Sequence, residues 1–272
     1  MTAYRLAVWG DPIAHSQSPH LHAAAYRVLG LDWEYGRDRV SAEEFDTSLS
    51  ALDGSWRGLS LTMPLKEKAF TAAVTRDGHA ELTGAVNTLL TGTRAGFNTD
   101  VGGIIDALSG AGIAEAPRVR ILGAGATASS ALVAVAELGA DRVEVRARRP
   151  ESLERLSGLG DRLGLHVSAA GLEDRAEPVD LTLATLPGGT VLAPEHSARL
   201  LEGGGALFEA AYAPWPSALA ADWVSGPVIS GLEMLLYQAV RQIRVFLHGD
   251  PAHVLDDEAS VVAVMRSALV GD

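Results

Sequence analysis

Val119-Arg120-Ile121-Leu122-Gly123-Ala124-Gly125-Ala126-Thr127-Ala128 is the stretch whose reading decides the fold. Val119 to Leu122 is an apolar strand, Ser129 to Leu138 is alanine-rich and helical, and Gly139 ends the helix. Between them Gly123, Ala124, Gly125, Ala126, Thr127 and Ala128 spell G-x-G-x-x-A. Glycine lets the backbone turn tightly and approach a pyrophosphate, and the open N–H groups of the following helix supply the field that holds it. Strand, turn, helix and next strand in one unit predict a dinucleotide site in a Rossmann-type, doubly wound α/β domain.

The next strand bears on which dinucleotide. Val143, Val145 and Ala147 alternate inward, and Arg148-Arg149-Pro150 follows at once. A carboxylate at that tip would accept from the ribose hydroxyls of NAD, whereas two guanidiniums suit the extra phosphate of NADP. Glu144 is near the nominal spacing but stops three residues short of the strand end, and is expected to face solvent or an edge. Arg148 and Arg149 therefore predict NADP, the other reading of the pair being a solvated turn.

Toward the N-terminus, Leu59-Ser60-Leu61-Thr62-Met63-Pro64-Leu65-Lys66-Glu67 ends an apolar strand at Pro64 and starts a helix. Lys66 thus sits at a strand-to-helix turn, where open α/β sheets gather ligands. It is either a solvated helix-start lysine or a group that donates a proton and stabilises a developing alkoxide. Gly84-Ala85-Val86-Asn87-Thr88-Leu89 and Gly96-Phe97-Asn98-Thr99-Asp100 each put polar groups at the end of a short apolar run. Asn87 donates and accepts, Thr99 carries a hydroxyl, and Asp100 offers a carboxylate to hold Lys66 charged, although turn and N-cap chemistry also explains Asn87 and Asp100. At the start, Ser16-Gln17-Ser18-Pro19 opens a helix, with Ser18 expected as N-cap and Pro19 as first helical residue. Ser16 and Ser18 beside an open helix start also make a small anion or carboxylate site.

With these segments in view the chain resembles the shikimate dehydrogenases, which reduce 3-dehydroshikimate to shikimate with NADPH. The family's S-x-S-P, N-V-T-x-P-x-K, G-A-V-N-T and N-T-D are met by Ser16 and Ser18, Thr62 and Lys66, Asn87, and Thr99 with Asp100. The resemblance implies Lys66 and Asp100 as the catalytic pair, Ser16 and Ser18 on the substrate carboxylate, and Thr62, Asn87, Thr99 and Gln238 on its hydroxyls. It implies the cofactor along Gly123 to Ala128 with Arg148, to which Arg149 adds a second guanidinium of this chain's own, covered by Thr185, by Tyr212 of a Y-x-P-like segment, and by Gly231 at the start of a returning helix. Four positions depart from the family pattern: Ser60 and Ala147 replace Asn, Arg149 replaces Thr, and Leu183 replaces Asn.

The implied organisation is a substrate domain over residues 1–100, completed by C-terminal helices 232–272, and an NADP-binding Rossmann-type domain over residues 101–231. The expected N-terminal elements are strand 4–9, helix 19–29, strand 33–40, helix 42–51, strand 58–63, helix 65–74, strand 85–90 and helix 101–109. Ser41-Ala42-Glu43-Glu44 reads as a capping box. Two alternatives stand beside this reading: a quinate/shikimate dehydrogenase using NAD, and a non-catalytic nucleotide-sensing relative.

A chain of 272 residues, 47% hydrophobic and 21% charged, suits a globular protein with two modest domains. Zero cysteines remove disulfides and thiolate chemistry. A net charge of −12 argues against nucleic acid, since phosphate neutralisation needs a basic face. No apolar run suggests a membrane span and the N-terminus lacks a secretory pattern, so a cytoplasmic protein is expected, with small-molecule partners and a monomeric or homodimeric state. His20 and His22 are two apart on a helix and point different ways, so no metal is expected.

Overall fold

Alternation along β1 (Tyr4–Gly10) and β3 (Trp56–Leu61) sends successive side chains to opposite faces, and each face finds its own cover. On one face Ala7, Trp9, Leu59 and Leu61 pack with Phe45 and Leu49 of α2 (Phe45–Ser50) and Ala69 of α3 (Lys66–Ala72). On the other, Leu6 meets Leu21 and Tyr26 of α1 (Ser18–Val28), Leu236, Val240 and Phe246 of α10 (Gly231–His248), and Val261 and Met265 of α11 (Glu258–Val270). Gly58 leaves room for α10, since a Cβ there would stand 2.6 Å from the Phe246 ring. These helices flank a sheet ordered β2-β1-β3-β5-β6-β4, with β2 (Trp33–Arg39), β4 (Thr75–Arg76), β5 (Thr88–Leu90) and β6 (Ala95–Phe97) completing it.

β1 pairs in parallel with both β2 and β3, but β5 runs antiparallel to β3 and to β6. Residues 91–94 join β5 to β6, with Arg94 at φ 55°, and so short a connection permits only an antiparallel pair. The alternating α/β order expected from sequence thus lacked β4, β6 and α4 (Gly78–Thr83). The helix expected over 42–51 is shorter because its capping box closes as a turn: Glu44 Oε2 accepts from Ser41 N at 3.0 Å and Ser41 Oγ from Glu44 N at 3.3 Å.

The computed structural model describes residues 3–147 and 150–270. The chain forms two units, Met1–Thr99 with Leu235–Asp272 and Asp100–Met234, and α5 (Thr99–Gly110) and α10 carry it across the boundaries. The second unit holds β7 (Arg118–Leu122), α6 (Ala126–Glu137), β8 (Arg142–Arg146), α7 (Pro150–Leu163), β9 (His166–Ala170), β10 (Leu181–Ala184), α8 (Pro194–Leu201), β11 (Ala206–Glu209), α9 (Ala218–Asp222) and β12 (Val228–Ser230). Its strands are all parallel and ordered β12-β11-β10-β7-β8-β9. Counted along the unit from the opposite edge this is 3-2-1-4-5-6, the doubly wound order whose direction reverses between β7 and β10. A parallel sheet must be covered on both faces. Here α6 contributes an unbroken buried run from Ala128 to Val135, its small residues letting the helix lie close to the strands.

Candidate functional site

In the first unit the sheet topology brings the candidate residues to one edge. Ser16 lies in the loop leaving β1, Thr62 and Lys66 follow the end of β3, and Thr99 follows β6. Asn87 precedes β5, and because β5 runs the opposite way its start lies at the same edge as those ends. Backbone bonds lace the loops together: Thr62 N donates to Trp9 O at 3.0 Å, Asp11 N to Met63 O at 3.0 Å, and Val86 N to Lys66 O at 3.0 Å. Lys66 opens α3 and is half-buried, and Thr62 fits against Gly10, where a Cβ would meet its Cγ2 at 2.4 Å.

Asn87 and Thr99 are buried together. Thr99 N donates to Asn87 Oδ1 at 2.9 Å, and Asn87 Nδ2 to Thr99 Oγ1 at 3.0 Å. The segment before Thr99 is pinned from α4, where Asp77 caps Ala80 N at 2.8 Å and also accepts from Asn98 N at 3.2 Å. Desolvation raises the Asp77 pKa above its ordinary value, against the pull of those two donors. Gln238 is buried on α10 and donates to Leu235 O at 2.9 Å. Asp100 is buried too and opens the second unit.

Ser18 departs from expectation. It is the first helical residue and not the N-cap, a position taken by Gln17 without a side-chain cap. Pro19 fixes the early turn, and Ser16 Oγ accepts from Ser18 N at 3.4 Å, so Ser16 is the hydroxyl serving the helix start.

Beneath this edge lies a buried polar layer that sequence reasoning missed. Tyr35 OH donates to Ser60 Oγ at 2.6 Å, Ser60 Oγ to Gln242 Oε1 at 2.8 Å, and Gln242 Nε2 to Asn87 O at 3.1 Å. The Tyr35 hydroxyl also interacts with the Ser18 side chain, and burial drives its pKa well up. His22 stacks on Tyr35 with ring centroids 3.9 Å apart and bonds Tyr26 OH at 3.0 Å. Desolvation pushes its pKa down to about 3, so the ring is neutral.

The second unit carries the glycine turn at its switch point. Gly123 has φ 107°, a left-handed value that favours glycine, and a Cβ there would stand 2.7 Å from Thr185 Oγ1. Thr185 in turn donates from N and Oγ1 to Leu122 O at 2.8 and 2.9 Å. Gly125 is the reverse case: it is extended and a Cβ would meet nothing within 4 Å, leaving open space over the N-terminus of α6. The first turn of α6 has no acidic residue and no side-chain cap, so the donors along Ala126, Thr127 and Ala128 fit a pyrophosphate. Arg155 on α7 donates to Ala124 O at 3.1 Å, placing a guanidinium on the turn that no motif announced. Thr185, Tyr212 and Gly231 follow the ends of β10, β11 and β12, and Gly231 packs so closely that a Cβ would lie 2.3 Å from Ala210 O. Arg148 and Arg149 lie outside the described residues.

Glu144 does not face solvent. Its carboxylate accepts from Arg120 Nε at 2.6 Å and Arg146 Nε at 2.7 Å, both guanidiniums wholly buried, because Arg120 and Glu144 are register partners across β7 and β8. Burial alone would raise its pKa, but Arg146 and Arg120 outweigh burial and hold it below the carboxylate range. A carboxylate so engaged is not offered to ribose hydroxyls. Glu209, ending β11, is the opposite case: burial raises its pKa while Ser217 Oγ donates to it at 2.5 Å.

Among the described residues no group of three or more His, Cys, Asp or Glu could hold a metal, and no helix is long and apolar enough to cross a membrane. A surface groove of about 420 Å³ over Asp46, Pro64, Glu67 and Lys68 contains none of the candidate residues.

Residues 8–89 match the family described as the shikimate dehydrogenase substrate binding domain. The chain is similar to the shikimate dehydrogenase (NADP(+)) of Methanothermobacter thermautotrophicus, 34% identical over 257 residues that span 90% of this chain and 91% of that protein. A solved shikimate 5-dehydrogenase from Mycobacterium fortuitum superposes with TM-score 0.82 at 36% identity, covering 98% of this chain and 97% of that one. The shikimate 5-dehydrogenase of Thermus thermophilus, solved in complex with NADP(H) and shikimate, gives TM-score 0.81 at 32% identity over 97% of this chain and 99% of that one.

Proposed function

This chain belongs to the shikimate dehydrogenase family, and from that premise we propose how its residues perform the reversible NADPH-dependent reduction of 3-dehydroshikimate to shikimate. The reaction adds a hydride to a ring carbonyl carbon and a proton to its oxygen, and NADPH supplies the hydride when bound. Lys66, half-buried at the start of α3, gives the proton to that oxygen or holds the developing alkoxide, a charge best met by a positioned cation out of bulk water. Asp100 is assigned the orienting role for Lys66 that the N-T-D resemblance implies. Ser16 and Ser18 take the substrate carboxylate at the start of α1, and Thr62, Asn87, Thr99 and Gln238 take the ring hydroxyls.

Gly123 to Ala128 hold the pyrophosphate, Arg148 and Arg149 the additional phosphate of NADP, and Thr185, Tyr212 and Gly231 bound the nicotinamide end. Arg155 adds positive charge beside the glycine turn, useful in a chain of net charge −12. In this reading residues 1–100 with 232–272 are the substrate domain and residues 101–231 the NADP-binding domain. The working partners are small molecules rather than nucleic acid, in a cytoplasmic monomer or homodimer.

The observation that carries the reading is the gathering of Ser16, Thr62, Lys66, Asn87 and Thr99 at one sheet edge. Steady-state kinetics of two variants test it. Lys66→Met should lower kcat by at least about a hundredfold with a much smaller change in KM. Ser16→Ala should raise KM for shikimate more than KM for NADP, having removed a ground-state contact. Full turnover without Lys66 would end its catalytic assignment, and normal shikimate affinity without the Ser16 hydroxyl would move the carboxylate elsewhere.

A further inference from the structure

We propose that Gln242 is a positioning residue of the substrate site, delivering from α10 the carboxamide that the family pattern takes from an asparagine at position 60. The inference rests on the shikimate reading above. Alternation along β3 puts Gly58 and Ser60 on the face that α10 covers, and Gly58 is the notch that admits the Phe246 ring. Gln242 lies one helical turn before Phe246 and one after Gln238, so the three share a stripe. The short side chain at Ser60 is a second notch on that face, and Gln242 enters it, 2% exposed.

Its two amide ends meet two parts of the site. Oε1 accepts from Ser60 Oγ at 2.8 Å, and Ser60 takes Tyr35 OH at 2.6 Å, whose hydroxyl interacts with Ser18. Nε2 donates to Asn87 O at 3.1 Å, and that carbonyl also accepts from Leu61 N at 2.8 Å, so both its lone pairs are used. Gln242 therefore ties the backbone that aims Asn87 to the hydroxyls that back Ser18. An asparagine at position 60 would put its own carboxamide into this space. The two amides would compete for the same space, so the short Ser60 and the long Gln242 fill it together.

A four-variant series tests the exchange: Gln242→Met, Gln242→Ala, Ser60→Asn, and the double variant Ser60→Asn with Gln242→Ala, each with KM for shikimate and NADP, kcat and melting temperature. Losing a buried neutral hydrogen-bonding amide should raise KM for shikimate about fivefold to tenfold in Gln242→Met, with kcat and KM for NADP moving less. Ser60→Asn alone should be overpacked and impaired. The double variant should recover KM for shikimate toward the parent, a rescue that a merely space-filling glutamine would not produce. Gln242→Met with parental KM, or a double variant whose loss multiplies those of the singles, overturns the proposal. Should Gln242→Ala fail to fold, Gln242→Met and the double variant decide the matter. A parent protein that does not turn over shikimate overturns the functional reading itself, an outcome distinct from parental activity with indifferent variants.

Discussion

Acidification should loosen the first unit through His22, and the size of the effect can be worked out. The His22 ring is wholly buried against Tyr35 and Tyr26, and desolvation holds its pKa down to about 3. In the unfolded chain it returns to about 6.5. A base with a lowered native pKa binds fewer protons folded than unfolded, so its contribution to stability is complete above about pH 6.5 and is lost as pH falls toward 3. Between roughly pH 7.5 and 5.5 the unfolded ring goes from about a tenth to about nine-tenths protonated while the native ring stays neutral, which removes about 1.4 kcal/mol. That window lies above the range where the lowered carboxylates Glu144 and Glu258 begin to contribute. Replacing His22 with Gln keeps a polar group near Tyr26 and removes the titration. Urea unfolding followed by tryptophan fluorescence at the two pH values is the assay, since Trp9, Trp33 and Trp56 all report on the first unit. The parent should lose about 1.4 kcal/mol more than His22→Gln across the window, whatever the variant's absolute stability. Equal losses in both would refute the reasoning, because they would mean that the buried ring takes up a proton at no cost.

Asp100→Asn should lower kcat as Lys66→Met does, and the double variant should cost little more than either single, since groups acting as a unit are not additive; multiplied losses in steady-state rates would separate the two roles. The two turn glycines should behave differently. Gly123→Ala forces a Cβ to within 2.7 Å of Thr185 Oγ1 at φ 107° and should lower both stability, by about 1–3 kcal/mol, and NADP affinity. Gly125→Ala meets nothing within 4 Å and should melt like the parent while still weakening NADP, as calorimetric melting and titration with the cofactor would show. Replacing Arg148 and Arg149 together with Ala should weaken NADP far more than NAD, on the order of tenfold or more in kcat/KM, and should flatten the salt dependence of NADP use. Equal effects on both cofactors would make the pair surface residues.

What the sequence made legible follows the strength of local signals. Gly123 to Ala128 stand between an apolar strand and an alanine-rich helix, and each local preference agrees with the doubly wound sheet that forms. The edge loops of the first unit were legible one by one because polar residues interrupt apolar runs at Thr62, Asn87 and Thr99. Their shared edge was not, since it depends on β5 running antiparallel, and β5 and β6 are three residues long each and lack any alternation to read. Glu144 was misread as facing solvent or an edge, and Arg120, Arg146 and Gln242 drew no reading, for a common reason. Charged and polar residues inside elements look solvated in a one-dimensional pattern, and only the register across β7 and β8 and the packing of α10 on β3 reveal that each is engaged with partners. Ser18 was misplaced by one position because Ser-Pro normally marks cap and first turn, whereas here Gln17 takes the cap.

The most direct test of the account is the oxidation of shikimate by the purified protein, measured as initial rates with NADP and with NAD, and with quinate in place of shikimate. Shikimate with NADP should give the highest kcat/KM of the four combinations, by at least about tenfold over shikimate with NAD. Preference for quinate with NAD would transfer the protein to the quinate-using branch of its family, and absence of turnover with all four would contradict the assignment of Lys66 and Asp100 to catalysis.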